Sequence, residues 1–123
     1  MGGLKIISIN FCRIRNGSKI LEILEKFEKY GIDIYCIQEI DVESAVKYLK
    51  NKYQIIINWD LSSKSKVGIV TLVKKGLILK DTIVGQNGRI LGIKLQNCQI
   101  WNIYPPSGSE FRKAREIFFN DTM

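Results

Sequence analysis

Hydrophobic positions in this chain change period several times, and each change predicts an element. Leu4 to Ile9 is a compact apolar run that stops at Asn10, the pattern of a strand. Asn10 to Gly17 is polar and basic, carries Arg13 and Arg15, and reads as a loop. Ile20, Leu21, Ile23, Leu24, Phe27 and Tyr30 then recur at helical spacing. Ser18 is the expected N-cap, and Gly31 the residue just past the helix end. Glu22 and Lys26 stand one turn apart on the outer face, a favourable pair.

Between Asp33 and Gln38 the chain is continuously apolar, which suits a strand covered on both faces; it then ends abruptly in Gln38 and Glu39. Asp41 is placed to cap a short second helix whose buried stripe is Ala45, Tyr48 and Leu49. Tyr53 to Ile57 and Val67 to Val73 read as strands on either side of a Ser- and Lys-rich loop from Trp59 to Lys66. Leu77 to Val84 is expected to continue that sheet after a turn at Gly76. Gln86-Asn87-Gly88 is a turn signal, and Leu91, Ile93 and Leu95 alternate as a half-buried strand should. Gln96-Asn97 returns the chain into a strand from Cys98 to Tyr104, which Pro105-Pro106 ends. Ser107 and Glu110 have capping-box spacing, opening a last helix with Phe111, Ala114 and Phe118 inward. The order β-α-β-α followed by antiparallel strands predicts an α+β domain with helices flanking sheets.

Composition narrows the function classes. The chain has 123 residues and 46% hydrophobic content, the size and make-up of one globular domain. No run approaches the ~20 apolar residues of a membrane span, and Ile6 stands where a myristoylation signal needs Ser or Thr. The expected setting is soluble and intracellular, without a membrane partner. Nineteen basic against twelve acidic residues leave a net charge of +7, which favours a polyanion such as nucleic acid. Cys12, Cys36 and Cys98 are far apart and the chain has no histidine, so zinc chemistry and an internal histidine base are both excluded. Cys36 reads as a small core residue.

No dinucleotide fingerprint, Walker loop or nucleophile elbow occurs, which leaves oxygen chemistry at the strand exits. Glu39, Asn10 and Tyr104 each follow an apolar run, and strands running the same way would open all three onto one rim. One carboxylate with amide and phenol neighbours suits a hard cation such as Mg²⁺, with Mn²⁺ as the alternative. Asn10 could hold a second oxygen or a phosphate, and Tyr104 could donate to a phosphate. Each residue also has a plain structural use: Asn in turns, Glu before a helix, Tyr in strands.

Ile7-Ser8-Ile9-Asn10, Asp33-Ile34-Tyr35-Cys36-Ile37-Gln38-Glu39, Val67-Gly68-Ile69-Val70 and Asn102-Ile103-Tyr104-Pro105-Pro106 together resemble the endonuclease/exonuclease/phosphatase, or DNase-I-like, superfamily. The nearest likeness is to the endonuclease domains of non-long-terminal-repeat retrotransposons. The resemblance implies a four-layered α/β sandwich of two packed mixed sheets flanked by helices. It implies that Asn10 binds phosphate and orders the site, that Glu39 holds the catalytic Mg²⁺ with Asn10 beside it, and that Tyr104 contacts the scissile phosphate. It implies DNA as the partner and, for a retroelement endonuclease, a nuclear location. Two positions depart from the pattern: Cys12 stands where abasic-site nucleases often carry Asp, and Ile40 where the family commonly has Thr. The family's Gly-Asp-x-Asn strand and late Ser-Asp-His segment are absent. Residues 1–123 are therefore expected to be the N-terminal half of such a domain, inactive without the missing C-terminal half. The alternatives are a non-catalytic basic nucleic-acid-binding module and a degenerate remnant.

Overall fold

A computed structural model describes residues 3–104 of the chain. The expected last helix, with its capping box and the preceding proline pair, lies outside the described residues.

The first strand, β1 (Ile6–Ile14), runs past Asn10 rather than stopping there. Helix α1 (Gly17–Glu28) is capped by Asn16, not by Ser18: the Asn16 side-chain oxygen accepts from the Ser18 N–H at 2.9 Å and the Lys19 N–H at 3.3 Å. An asparagine two positions earlier reaches two of the orphan donors at once, so it takes the cap. Lys19 rather than Lys26 approaches Glu22, at 3.8 Å. Strand β2 (Ile34–Asp41) leads directly into α2 (Val42–Leu49), which Asp41 caps by accepting from the Ser44 N–H at 3.0 Å. The stripe of α2 is Val42, Ala45 and Leu49; Tyr48 is exposed instead, its ring resting on Gly17 at the start of α1.

Strands β3 (Tyr53–Trp59) and β4 (Val67–Lys74) complete a four-stranded sheet in the order β1-β2-β4-β3. β1 and β2 are parallel, and β4 is antiparallel to both of its neighbours. The segment after Gly76 does not extend this sheet. Its strand β5 (Asp81–Val84) pairs with β6 (Ile90–Lys94), and β6 with β7 (Gln99–Ile103), forming a separate three-stranded antiparallel sheet. Periodicity marks a strand but not its partner, and β5 finds hydrogen bonds only on β6.

Alternation in the central strands sets the layers. In β2 and β4 one face presents Tyr35, Ile37, Val70 and Leu72 to Ile20 and Leu24 of α1 and Ala45 and Leu49 of α2. The opposite face presents Ile34, Cys36, Ile69 and Val73 to Leu91 and Ile93 of the second sheet and to Leu95 just after β6. Full burial of each such leucine or isoleucine contributes about 1.5–3 kcal/mol, so the doubly covered strands β2 and β4 anchor the molecule. The described part is thus helices on a mixed sheet on a second sheet. Cys36 is core, as its position in the run implied, and burial pushes its thiol up to about 11.

Two buried asparagines tie the sheets together. Asn58 of β3 donates to the carbonyls of Gly85 and Ile90 at 2.8 and 2.9 Å, fixing the β5–β6 hairpin. Asn102 of β7 donates to the Val70 and Ile37 carbonyls at 3.1 and 3.3 Å and to the Thr71 hydroxyl at 3.3 Å. Gln38 in turn donates to the Asn102 side-chain oxygen at 2.9 Å. These bonds are what make asparagine tolerable between two apolar sheets.

Candidate active site

Two adjoining strands break their alternation at the same rim, and each break turns out a charged residue. In β2, Tyr35 and Ile37 face the helices, so unbroken alternation would send Glu39 into that apolar layer. The register instead passes from Ile37↔Val70 to Ile40↔Gly68, setting Gln38 and Glu39 against a single residue of β4. Glu39 takes up the extra length in the left-handed region, φ 54°. This β-bulge gives the core position to Ile40 and frees Glu39 for the rim.

β1 does the same. Ile7, Ile9 and Phe11 pack toward the helices, and the next residue in alternation would be Arg13. Between Asn10↔Gln38 and Ile14↔Ile40 the strand carries two more residues than its partner, and Cys12 and Arg13 are both left-handed, φ 51° and 66°. Ile14 takes the apolar face in place of Arg13, and it pairs with Ile40. A non-glycine residue in this region costs about 1–2 kcal/mol. Such strain persists where surrounding packing imposes it, and it clusters at functional sites.

The two released side chains line one cleft of about 290 Å³, together with Asp60, Ser63, Ser65, Arg89 and Tyr104. The cleft wall depends on close backbone approach. A Cβ on Gly88, itself at φ 68°, would fall 2.6 Å from the Asp60 nitrogen, and one on Gly68 would fall 2.2 Å from the Asn58 carbonyl oxygen.

The Tyr104 hydroxyl donates to Glu39 Oε1 at 2.7 Å, joining the end of β7 to the β2 bulge. Arg89 holds Tyr104 in place by three contacts. Its carbonyl accepts the Tyr104 N–H at 2.9 Å, its Nη1 donates to the Tyr104 carbonyl at 3.2 Å, and its guanidinium lies 5.3 Å from the ring centroid. Asp60 is held below the usual carboxylate range, first by the Ser62 hydroxyl and backbone N–H and then by the charge of Arg89. The Ser65 hydroxyl oxygen is buried and has no partner among the described residues.

Asn10 is placed differently from Glu39 and Tyr104. It pairs with Gln38 across the parallel ladder, so it stands at the same end of the sheet, but it does not line the cleft. Its side-chain oxygen accepts the Cys12 N–H at 2.8 Å. Sequence reading passed over Arg89 and gave no site role to Asp60 or Asn102. Only Asn102 carried a signal, as a polar residue interrupting an apolar strand.

The donor set suits a hard cation. Glu39 Oε1 is fixed by Tyr104, Oε2 has no such bond among the described residues, and Asp60 is a second carboxylate in the same cleft. Mg²⁺ takes one or two carboxylates, keeps several waters and completes its shell with substrate phosphate. Among the described residues no three His, Cys, Asp or Glu converge.

The bulged sheet packed on a second sheet, with helices outside, has the arrangement of a truncated DNase-I-like fold. Truncated TDP2 from Caenorhabditis elegans superposes with a TM-score of 0.71 at 17% identity, over 98% of this chain and 53% of that one. Humanized TDP2 from D. rerio gives 0.70 at 15% identity, over 96% and 54%. The endonuclease domain of TRAS1, a telomere-specific non-LTR retrotransposon, gives 0.59 at 15% identity, over 96% and 52%. The chain spans about half the length of these structures, and at such identities the likeness is one of fold. No protein-family model and no curated protein matches the sequence. No helix among the described residues is long and apolar enough to cross a membrane.

Proposed function

We propose that this chain is the N-terminal half of a divalent-metal-dependent phosphodiester hydrolase, a DNA-nicking endonuclease of retroelement kind. The observation that carries this reading is Glu39: a carboxylate turned out of an apolar strand by a strained bulge and fixed by Tyr104 in a cleft that also holds two arginines. A solvated surface glutamate has no use for that arrangement. Glu39 would hold Mg²⁺, with Mn²⁺ as its substitute, and Asp60 lines the same cleft. The ion supplies positive charge for the phosphate oxygens when bound. Tyr104 keeps the carboxylate in one orientation.

DNA is favoured by the charge of +7 and by the fold of the TRAS1 endonuclease domain. That role puts the protein's work in the nucleus. Calorimetric titration of the full chain with Mg²⁺ tests the reading. Glu39→Gln should weaken binding at least tenfold and Tyr104→Phe by a few-fold, because the first loses the charged ligand and the second only its orientation. Equal Mg²⁺ affinity in the parent and Glu39→Gln would make Glu39 a structural residue and remove the basis for the proposal.

A further inference from the structure

Resting on that functional reading, we propose that Arg13, Ser65 and Arg89 form a subsite for a second backbone phosphate of the bound strand, and that Asn10 acts as the positioning residue for Arg13. Arg13 reaches the cleft only because β1 carries two extra residues between Asn10 and Ile14. Two side-chain bonds close the bulge: the Cys12 N–H donates to the Asn10 side-chain oxygen at 2.8 Å, and the Cys12 thiol donates weakly to the Asn10 carbonyl at 4.0 Å. An asparagine bonding the backbone two residues ahead is the local device that stabilises such a turn. With its oxygen so used, Asn10 shapes β1, and its side chain lies outside the cleft lining.

The three cleft groups suit an oxyanion. Among the described residues no hydrogen bond or ion pair engages the Arg13 guanidinium, so all its donors are open. The Ser65 hydroxyl is buried without a partner and lines the same space. Arg89 spends one nitrogen on the Tyr104 carbonyl and keeps others for a ligand. A guanidinium recognises phosphate through paired donors, and the cleft holds two of them beside the one carboxylate assigned to the metal.

The test is fluorescence anisotropy of a labelled short DNA oligonucleotide with the full chain over a salt series, without divalent metal, beside Mg²⁺ calorimetry. Arg13→Ala should weaken binding several-fold and flatten the salt dependence by about one unit, the signature of one lost phosphate contact. Asn10→Ala should match it while keeping the parent's Mg²⁺ affinity, and Asn10→Ala/Arg13→Ala should lose no more than either alone. Asn10→Ser, which keeps a neutral acceptor for the Cys12 N–H, should restore the parent's salt slope. Parental affinity and slope in Arg13→Ala would overturn the subsite and leave the proposed hydrolase intact. A fall in Mg²⁺ affinity in Asn10→Ala comparable to that in Glu39→Gln would make Asn10 a metal ligand and overturn its positioning role. A parent chain that binds no oligonucleotide would overturn the functional reading and this subsite with it. If Asn10→Ala fails to fold by circular dichroism, Asn10→Ser and Arg13→Ala still decide both parts.

Discussion

The Tyr104 hydroxyl and Glu39 Oε1 meet at 2.7 Å across 65 positions of sequence, and their bond joins the two sheets. It exists because the β2 bulge turns Glu39 away from the helices and because Arg89 holds the Tyr104 backbone and ring. The site is therefore built from backbone irregularity on one side and side-chain packing on the other.

The left-handed conformation of Glu39 should be measurable as stored strain. Glu39→Gly and Glu39→Ala both lose the bond to Tyr104, but only glycine adopts φ 54° without steric cost. Urea denaturation should find the glycine variant more stable than the alanine variant by about 1 kcal/mol. Equal midpoints would mean that the bulge relaxes when the side chain is removed.

Asn102 should matter more to stability than any other polar residue described. Replacing it with alanine opens a cavity and removes the donor to the Val70 and Ile37 carbonyls and the Thr71 hydroxyl between the sheets. The expected cost is about 2–4 kcal/mol. Thr71→Val removes only one of those bonds and should cost about 1 kcal/mol. A guanidinium midpoint for Asn102→Ala within error of the parent's would show that the inter-sheet network is dispensable.

Glu28 should make a small acid-sensitive contribution. Its carboxyl lies below the ordinary value of 4.5, chiefly through the Lys52 hydrogen bond at 2.9 Å, against the opposing effect of burial and with help from the Tyr53 hydroxyl at 3.0 Å. A lowered native pKa stabilises the fold above the unfolded pKa and loses that stability as pH falls through the native one. Stability should thus drop as pH falls below about 4.5, by under about 1 kcal/mol because the pair is solvent-screened. Comparing Glu28→Gln with the parent at pH 7 and pH 3 isolates the effect. The gap between them should narrow in acid, and a constant gap would assign it to packing.

The 123-residue polypeptide by itself should not nick plasmid DNA in Mg²⁺. Phosphodiester hydrolysis needs a group to orient the attacking water as well as charge for the phosphate. The cleft offers Glu39 for the metal and arginines for phosphate, while Asp60 is bonded to Ser62, and the chain has no histidine. Robust nicking that disappears in Glu39→Ala would show that the described cleft already suffices for the chemistry.

The order of elements was legible in the sequence because alternation, helical spacing and caps are local properties. The double-faced run at residues 34–37, the Asp41 cap and the buried Cys36 could all be read from neighbours a few residues apart. So could the candidacy of Glu39 and Tyr104, as polar residues closing apolar runs. Tertiary structure decided what depended on distant partners. It paired Asp81–Val84 with β6 rather than with the first sheet. It also bulged β1 and β2 together, so that Ile14 and Ile40 fill the helix-side core while Arg13 and Glu39 line the cleft. Periodicity alone points both charged residues inward, and only the cost of burying a charge under two helices, weighed against a strained backbone, turns them out.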